Sequence, residues 1–382
     1  FDSLEIKQFS KKKRIWYEKF VHLESNKKVK LHINEICYAY RGFDFTNYET
    51  RRGGFGSSDF CEVNVNCSPE GDNWQDQSSS VAKISIVASG GYYMCTGNMI
   101  NNTTNDCTPY FLTADHCADG SSVSNHNQWV FYFNFEASSC NNPGSSPSSN
   151  TMTGCSPLSG SNGIPATGQI NGGSDFYLVE LNNQPPDNYG VYFAGFDIGT
   201  GASSSGVSIH HPSGDIKKIS TYTSSLTNGS WGGGGGSTHW RVNWIQTANG
   251  HGVTEGGSSG SPIFNSNGLV VGDLSGGSSY CTQTNGSDLY GKISYSWSSN
   301  GNTDEEQLKP WLDPINQLNQ GGGLTTLSGL WCGTNLSVNF SANNNSSILF
   351  NELILLLSIF LFTASFINLL LYPRILVPTP IR

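Results

Sequence analysis

The stretch Glu255-Gly256-Gly257-Ser258-Ser259-Gly260-Ser261-Pro262 limits what this chain can fold into. All but its first residue are Gly, Ser or Pro, and a strand-like apolar run, Ile263 to Val271, follows. Two readings compete. One is a flexible Gly/Ser loop, ordinary in a chain with 45 glycines. The other is a nucleophile turn. A serine hydroxyl is a poor nucleophile unless a base lies within hydrogen-bond reach and donors wait for the oxyanion it creates. Gly-x-Ser-Gly provides a tight turn that exposes one hydroxyl and lets the N–H groups of Gly257 and Ser259 converge.

The rest of the chain bears on that choice. Its 382 residues suffice for one large or two medium domains. Only 13% are charged, against a usual level of about 25%. Gly, Ser and Asn are abundant and helix patterns scarce, which points to an all-β domain rich in turns. A net charge of −9 argues against a nucleic-acid partner. Ten cysteines lie outside any CxxC spacing, so a disulfide framework is expected rather than zinc, and with it an oxidising, extracytoplasmic location. The chain begins at Phe1 without a signal peptide and is read as a fragment or processed form.

Residues 1–58 hold more than half of the twenty basic residues. They read as the remnant of a pro-segment, with a basic recognition arm or a solvated face as alternatives. Arg51-Arg52-Gly53-Gly54 offers a basic cleavage site in a Gly-rich linker. Val81 to Ala88 alternates as a half-buried strand does. Tyr92–Ile100 and Thr108–Thr113 flank a turn-rich segment as a hairpin-like pair. Residues 138–174 are loop-like, and Asp175 opens a compact strand. Further strands are expected at 190–196, 206–211, 240–246, 263–274 and 288–297, and one helix at Asp304–Leu312, stopped by Pro314. Residues 331–350 form a polar linker. Leu353 to Tyr372 is twenty residues without a charge, long enough to span a membrane. With Glu352 before it and Arg374 and Arg382 after it, the bulk of the chain would lie outside the cytoplasm. A buried helix or an out-of-frame tail are the alternatives.

Serine acyl transfer also needs an imidazole to take the proton and a carboxylate to fix its tautomer. His116 ends a strand in a Thr-Ala-x-His-Cys setting, Asp175 opens a strand, and Ser259 sits in the turn. The order His, Asp, Ser is that of chymotrypsin-like enzymes. His210 and His211 are rival bases without such a setting, better read as loop or core histidines.

Several stretches together resemble the lysyl endopeptidase family of bacterial trypsin-like serine proteases. They are CEVNVNCSPEG (61–71), CTGNMINNTTNDCTPYFLTADHC (95–117), DFYLVELN (175–182), HHPSGDIKKI (210–219), WGGGGGSTH (231–239), VTEGGSSGSPI (253–263), SDLYG (287–291) and WLDP (311–314). The resemblance covers residues 59–330. It implies two six-stranded antiparallel β-barrels, about 59–185 and 186–303, with the active site between them. It carries His116, Asp175 and Ser259 into a triad and the N–H groups of Gly257 and Ser259 into the oxyanion hole.

Trypsin holds a basic substrate side chain with an acid six residues before its nucleophile. Val253 occupies that position here. The family pattern points instead to Asp288 as the acid, beside Trp231, Ser275, Gly276 and Gly277 around the substrate. A buried carboxylate would pair with an ammonium, or with a guanidinium. The bland alternatives are a turn residue for Asp288 and a core aromatic for Trp231. Family members can carry histidine where this chain has Ser275, so rate and pH profile are expected to differ. Ser258 replaces the aspartate with which trypsin binds its new N-terminus, so a pro-segment would act by folding or blocking. The resemblance also implies the bridges Cys61–Cys281, Cys67–Cys140 and Cys95–Cys117. Cys37, Cys107, Cys155 and Cys332 are left over, with Cys107–Cys155 one pairing open to them.

The expectation is a secreted, monomeric serine endopeptidase acting on protein or peptide substrates with Lys before the cleaved bond. It needs no metal or organic cofactor, has no nucleic-acid partner, and touches a membrane only through the tail. The rivals are a membrane-held binding module that lost activity and a same-fold protease of glutamyl specificity.

Overall fold

The computed structural model describes residues 54–88, 91–166, 173–231 and 236–332. Most of the basic N-terminal segment, Cys37, most of the polar linker and the hydrophobic tail lie outside the described residues. Among the described residues no helix is long and apolar enough to cross a membrane.

Alternation along single strands builds two cores. In Phe176–Leu181, Phe176 and Leu178 join one buried cluster, while Tyr177, Val179 and Leu181 face another. Nineteen strands result among the described residues. Val63–Asn64 (β1) precedes Val81–Ala88 (β2), Gly91–Met99 (β3), Tyr110–Ala114 (β4), Val130–Phe133 (β5), Asn150–Thr153 (β6), Cys155–Gly160 (β7) and Phe176–Leu181 (β8). Next come Tyr192–Phe193 (β9), Phe196–Asp197 (β10), Gly206–His210 (β11), Lys218–Tyr222 (β12), Thr227–Gly229 (β13) and His239–Val242 (β14). Pro262–Asn265 (β15), Val270–Gly277 (β16), Asp288–Lys292 (β17), Thr326–Leu327 (β18) and Leu330–Trp331 (β19) complete them.

The first sheet has the order β6-β5-β2-β3-β4-β8-β7, every neighbour antiparallel. Its two outer strands are one stretch of chain bent at Gly154, whose φ is 88°. Its first half pairs with β5 and its second with β8, so six spans of chain close into a barrel. The second sheet runs β1-β12-β11-β15-β16-β17-β14-β13, with β10 and β18 attached beside β16. Ile245 N–H donates to the Thr221 carbonyl at 3.0 Å, returning the stretch after β14 to β12. Two barrel-like domains of six main strands therefore match the expectation. Val63, Leu112, Phe176, Phe196, Val207 and Phe264, drawn from both, pack together in one buried cluster.

Several expectations are corrected. The strand expected at 288–297 ends at Lys292 and passes into a short α-helix, Ile293–Ser296; 190–196 holds two short strands that pair in different sheets; and the loop-like 138–174 contains β6 and β7. The run 263–274 is two strands, because Asn265 Oδ1 accepts the N–H groups of Asn267 and Leu269 and Gly268 takes a φ of 74°. Asp304–Leu312 is not one helix: a 3₁₀ turn at Asp304–Glu306 stops at extended Gln307, and a short α-turn restarts at Lys309 with Pro310 in its first turn. Cys107 pairs with Cys332, not Cys155. Cys155 is buried and has no disulfide partner among the described residues; its Sγ lies 3.6 Å from the His126 carbonyl oxygen.

Candidate active site

Strand β4 ends at Ala114, and a 3₁₀ turn, Asp115–Ala118, carries His116. The Cys95–Cys117 bridge ties that turn to β3. Asp175 sits just before β8 with a φ of 65°, a backbone conformation few non-glycine residues adopt. Its carbonyl accepts the Asp115 N–H at 2.7 Å, and its Oδ1 accepts the His116 N–H at 3.0 Å. Its Oδ2 lies 2.8 Å from His116 Nδ1. The carboxylate accepts, so Nδ1 carries the proton and Nε2 is left as a base. Burial alone would push the imidazole down, but the Asp175 carboxylate and its hydrogen bond hold the pKa above the usual value. For Asp175 burial pushes upward; His116 together with hydrogen bonds from His116 and Ser275 draws it below the carboxylate range.

The Gly/Ser turn docks against the same strands. Thr96 N–H donates to the Ser259 carbonyl at 2.8 Å, and Thr96 Oγ1 donates to the Gly257 carbonyl at 2.8 Å. Gly260 has a φ of 79°, and a Cβ there would lie 2.2 Å from Thr113 Oγ1 and 2.7 Å from Ala114 N. The turn thus rests on the strand end that leads into His116. The N–H groups of Ser258, Gly260 and Ser261 are used inside the fold, by Glu255, Leu274 and Ser258 carbonyls. Those of Gly257 and Ser259 have no acceptor among the described residues. Ser259 is partly exposed.

His210 and His211 are fully buried. His210 Nδ1 lies 2.8 Å from Ser258 Oγ and Nε2 3.0 Å from Ser220 Oγ. Burial, with Lys218 nearby, pushes His210 down to about 3. Both are core histidines, one of them bracing the turn from beneath.

Asp288 opens β17 and is fully buried. Its Oδ2 accepts from Trp244 Nε1 at 2.7 Å, Thr254 Oγ1 at 2.8 Å and Ser279 Oγ at 2.5 Å, and its Oδ1 from the Ser279 N–H at 3.1 Å. A Cβ on Gly277 would lie 2.0 Å from Oδ1, so only glycine leaves that approach open. The Trp231 ring lies against Gly276, where a Cβ would meet its Cη2 at 2.7 Å. Glu255, the other acid near the turn, faces away: its carboxylate accepts the Asp59 N–H at 2.8 Å and the Ser213 hydroxyl at 2.5 Å. Among the described residues no cluster of His, Cys, Asp and Glu could hold a metal ion.

Sequence reasoning missed some groups. Asp115, one residue before His116, is buried; Asn162 Nδ2 donates to its Oδ2 at 2.6 Å, and its Oδ1 has no partner among the described residues. Asp273 on β16 is wholly buried with both oxygens unpartnered among the described residues, and burial followed by Asp175 drives it well above the carboxylate range. His239 stands behind Ser275 at 2.9 Å. Nothing local in the sequence marks the two acids. His239 lies at the end of the stretch 231–239, but only the fold brings it to Ser275. The three bridges implied by the resemblance are present.

The chain is 32% identical over 244 residues to the lysyl endopeptidase of Pseudomonas aeruginosa, covering 60% of this chain and 48% of that protein. It therefore spans about half the length of this curated relative. Among solved structures, a thermostable serine protease AL20 from an extremophilic microorganism aligns at 13% identity and a TM-score of 0.40, over 57% of this chain and 92% of that one. Protease Anisep from Arthrobacter nicotinovorans aligns at 17% identity and a TM-score of 0.40, over 56% and 90%. The family profile described as "Lysyl endopeptidase, C-terminal domain" matches residues 55–291. That match spans more than half of the sequence, and the chain belongs to the lysyl endopeptidase C-terminal domain family.

Proposed function

We propose that the chain is a secreted serine endopeptidase that hydrolyses peptide bonds after lysine, with residues 59–330 as its protease unit. The observation that carries the specificity is Asp288, a buried carboxylate held by four donors beneath Gly277. A lysine ammonium reaching it would pair with a buried carboxylate, with the Trp231 ring against neighbouring Gly276. Ser259 Oγ attacks the carbonyl carbon as His116 Nε2 takes its proton. The N–H groups of Gly257 and Ser259 receive the oxyanion. His116 then returns the proton to the leaving amine, and water repeats the sequence on the acyl-enzyme. Four disulfides among the described residues fit an oxidising compartment.

Asp288→Asn is the test. Removing one partner of a buried ion pair costs about 3–5 kcal/mol, so kcat/KM on lysyl peptides should fall by roughly 10²–10³ or more. Hydrolysis of a small activated ester without a basic side chain should change far less. Equal loss on both would make Asp288 structural. Retained lysine selectivity would move the specificity acid elsewhere. Ser259→Ala should abolish turnover on both, by about 10⁶ in kcat.

A further inference from the structure

We propose that His239 is a positioning residue for this reaction, the far end of a one-directional hydrogen-bond chain that orients Asp175 through Ser275. The inference rests on the protease reading above.

The direction follows from which groups can donate. Asp175, whose pKa lies low, is an acceptor. Ser275 hydrogen-bonds it and must therefore give it the hydroxyl proton. His239 Nε2 lies 2.9 Å from the same Ser275 oxygen, which now has only lone pairs to offer. Nε2 must be the donor. His239 Nδ1 lies 2.7 Å from Thr238 Oγ1. Burial pushes His239 down to about 4; Asp175 pulls the other way and Lys292 adds to the fall. The ring is neutral at working pH, so a proton on Nε2 leaves Nδ1 as an acceptor, and the Thr238 hydroxyl fills it.

Every proton from Thr238 through His239, Ser275 and Asp175 to His116 then has one position. His239, Ser275 and Asp175 are all buried. The chain runs across the barrel wall: His239 opens β14, Ser275 lies in β16, and β17 pairs with both strands. Lys292, which pairs with Gly272 across the sheet, sits over the Trp240 ring at 4.0 Å and bonds Asn228 rather than the relay. A hydroxyl at position 275 that accepts a fixed donor cannot rotate away from Asp175, and the Asp175 oxygens are held for His116.

The experiment compares His239→Phe, which keeps an aromatic ring but no donor, with His239→Gln, whose amide nitrogen can reach Ser275. Thr238→Val keeps the imidazole and removes the donor to Nδ1. Wild-type protein is first labelled at Ser259 with a fluorophosphonate. For His239→Phe, kcat on a lysyl peptide should fall about tenfold, the rate equivalent of one lost hydrogen bond. KM should stay within about twofold. The low-field proton resonance of the His116–Asp175 bond should move. His239→Gln should restore most of kcat, and Thr238→Val should give a smaller loss of the same kind. If His239→Phe does not fold, Thr238→Val decides the matter on the same three readouts. Wild-type kcat and an unmoved resonance in the variant tested would overturn the inference. So would equal losses in the Phe and Gln variants, which would mark a packing role. Absence of Ser259 labelling in the wild type would instead overturn the protease reading, and this inference with it.

Discussion

A single carboxyl beside the base has consequences of its own. Burial raises Asp115 to about 7, with Asp175 adding to the rise and the Asn162 hydrogen bond opposing it. Its negative charge in turn favours protonated His116. A base must be unprotonated to act, so a group that raises its pKa moves the acid limb of activity upward. Asp115→Asn should therefore shift the acid limb of kcat/KM to lower pH, by up to about one unit. Stability gives a second readout. Between about pH 4 and pH 7 the folded state binds a proton at Asp115 that the unfolded state has released, so stability falls as pH rises through that window. Asn at this position removes that fall. An unshifted pH–rate profile together with an unchanged stability slope would mean that Asp115 is not titrating where the structure puts it.

Among the elements, the bent span Asn150–Gly160 carries the most. It serves β5 with one half and β8 with the other, and Gly154 is the pivot. Alanine there would keep a φ of 88°, costly for an L residue, and would push its Cβ to 2.4 Å from Asn182 Nδ2. The strain alone is worth about 1–2 kcal/mol. Gly154→Ala should lower unfolding free energy by about that much or more, and Gly154→Ala with Asn182→Ala should recover only the part due to the clash. Urea unfolding would measure both, and wild-type stability in the single variant would refute the pivot. This span also marks a limit of sequence reading. Residues 138–174 look like loop because Ser, Gly, Asn and Pro dominate, yet two barrel strands lie within them. Long-range pairing with β5 and β8 overrides composition there. The opposite error occurs at 263–274, where a strong apolar run conceals the Asn265–Gly268 turn. His116, Asp175, Ser259 and Asp288 each sit in a dense local motif, so the roles proposed for them could be read along the chain. Those of Asp115, Asp273 and His239 could not, since their significance comes from what the barrels fold against them.

Across the whole molecule, the bridges do two different jobs, and the difference can be measured. Cys61–Cys281 closes 220 residues and joins the start of the described chain to the loop before Asp288. Cys95–Cys117 closes only 22 and holds the turn carrying His116. On the chain-entropy account, a loop of the first size is worth about 5 kcal/mol and one of the second about 3 kcal/mol. Stability should therefore fall more when Cys61 and Cys281 are both replaced by serine than when Cys95 and Cys117 are. Activity should rank the other way. Cys117 adjoins His116 and Cys95 adjoins Thr96, the residue whose N–H and hydroxyl hold the Ser259 turn. Loss of that short bridge should free the turn carrying His116 and the turn carrying Ser259 at once. The Cys95→Ser, Cys117→Ser protein, assayed well below its unfolding midpoint, should lose kcat on lysyl peptide and on activated ester alike, because under the proposed mechanism both reactions use His116 and Ser259. The Cys61→Ser, Cys281→Ser protein, assayed under the same condition, should keep more ester activity than lysyl-peptide activity, since its slack falls on the Ser279–Asp288 side of the pocket. Identical losses on both substrates in both proteins would mean that the bridges act only through global stability.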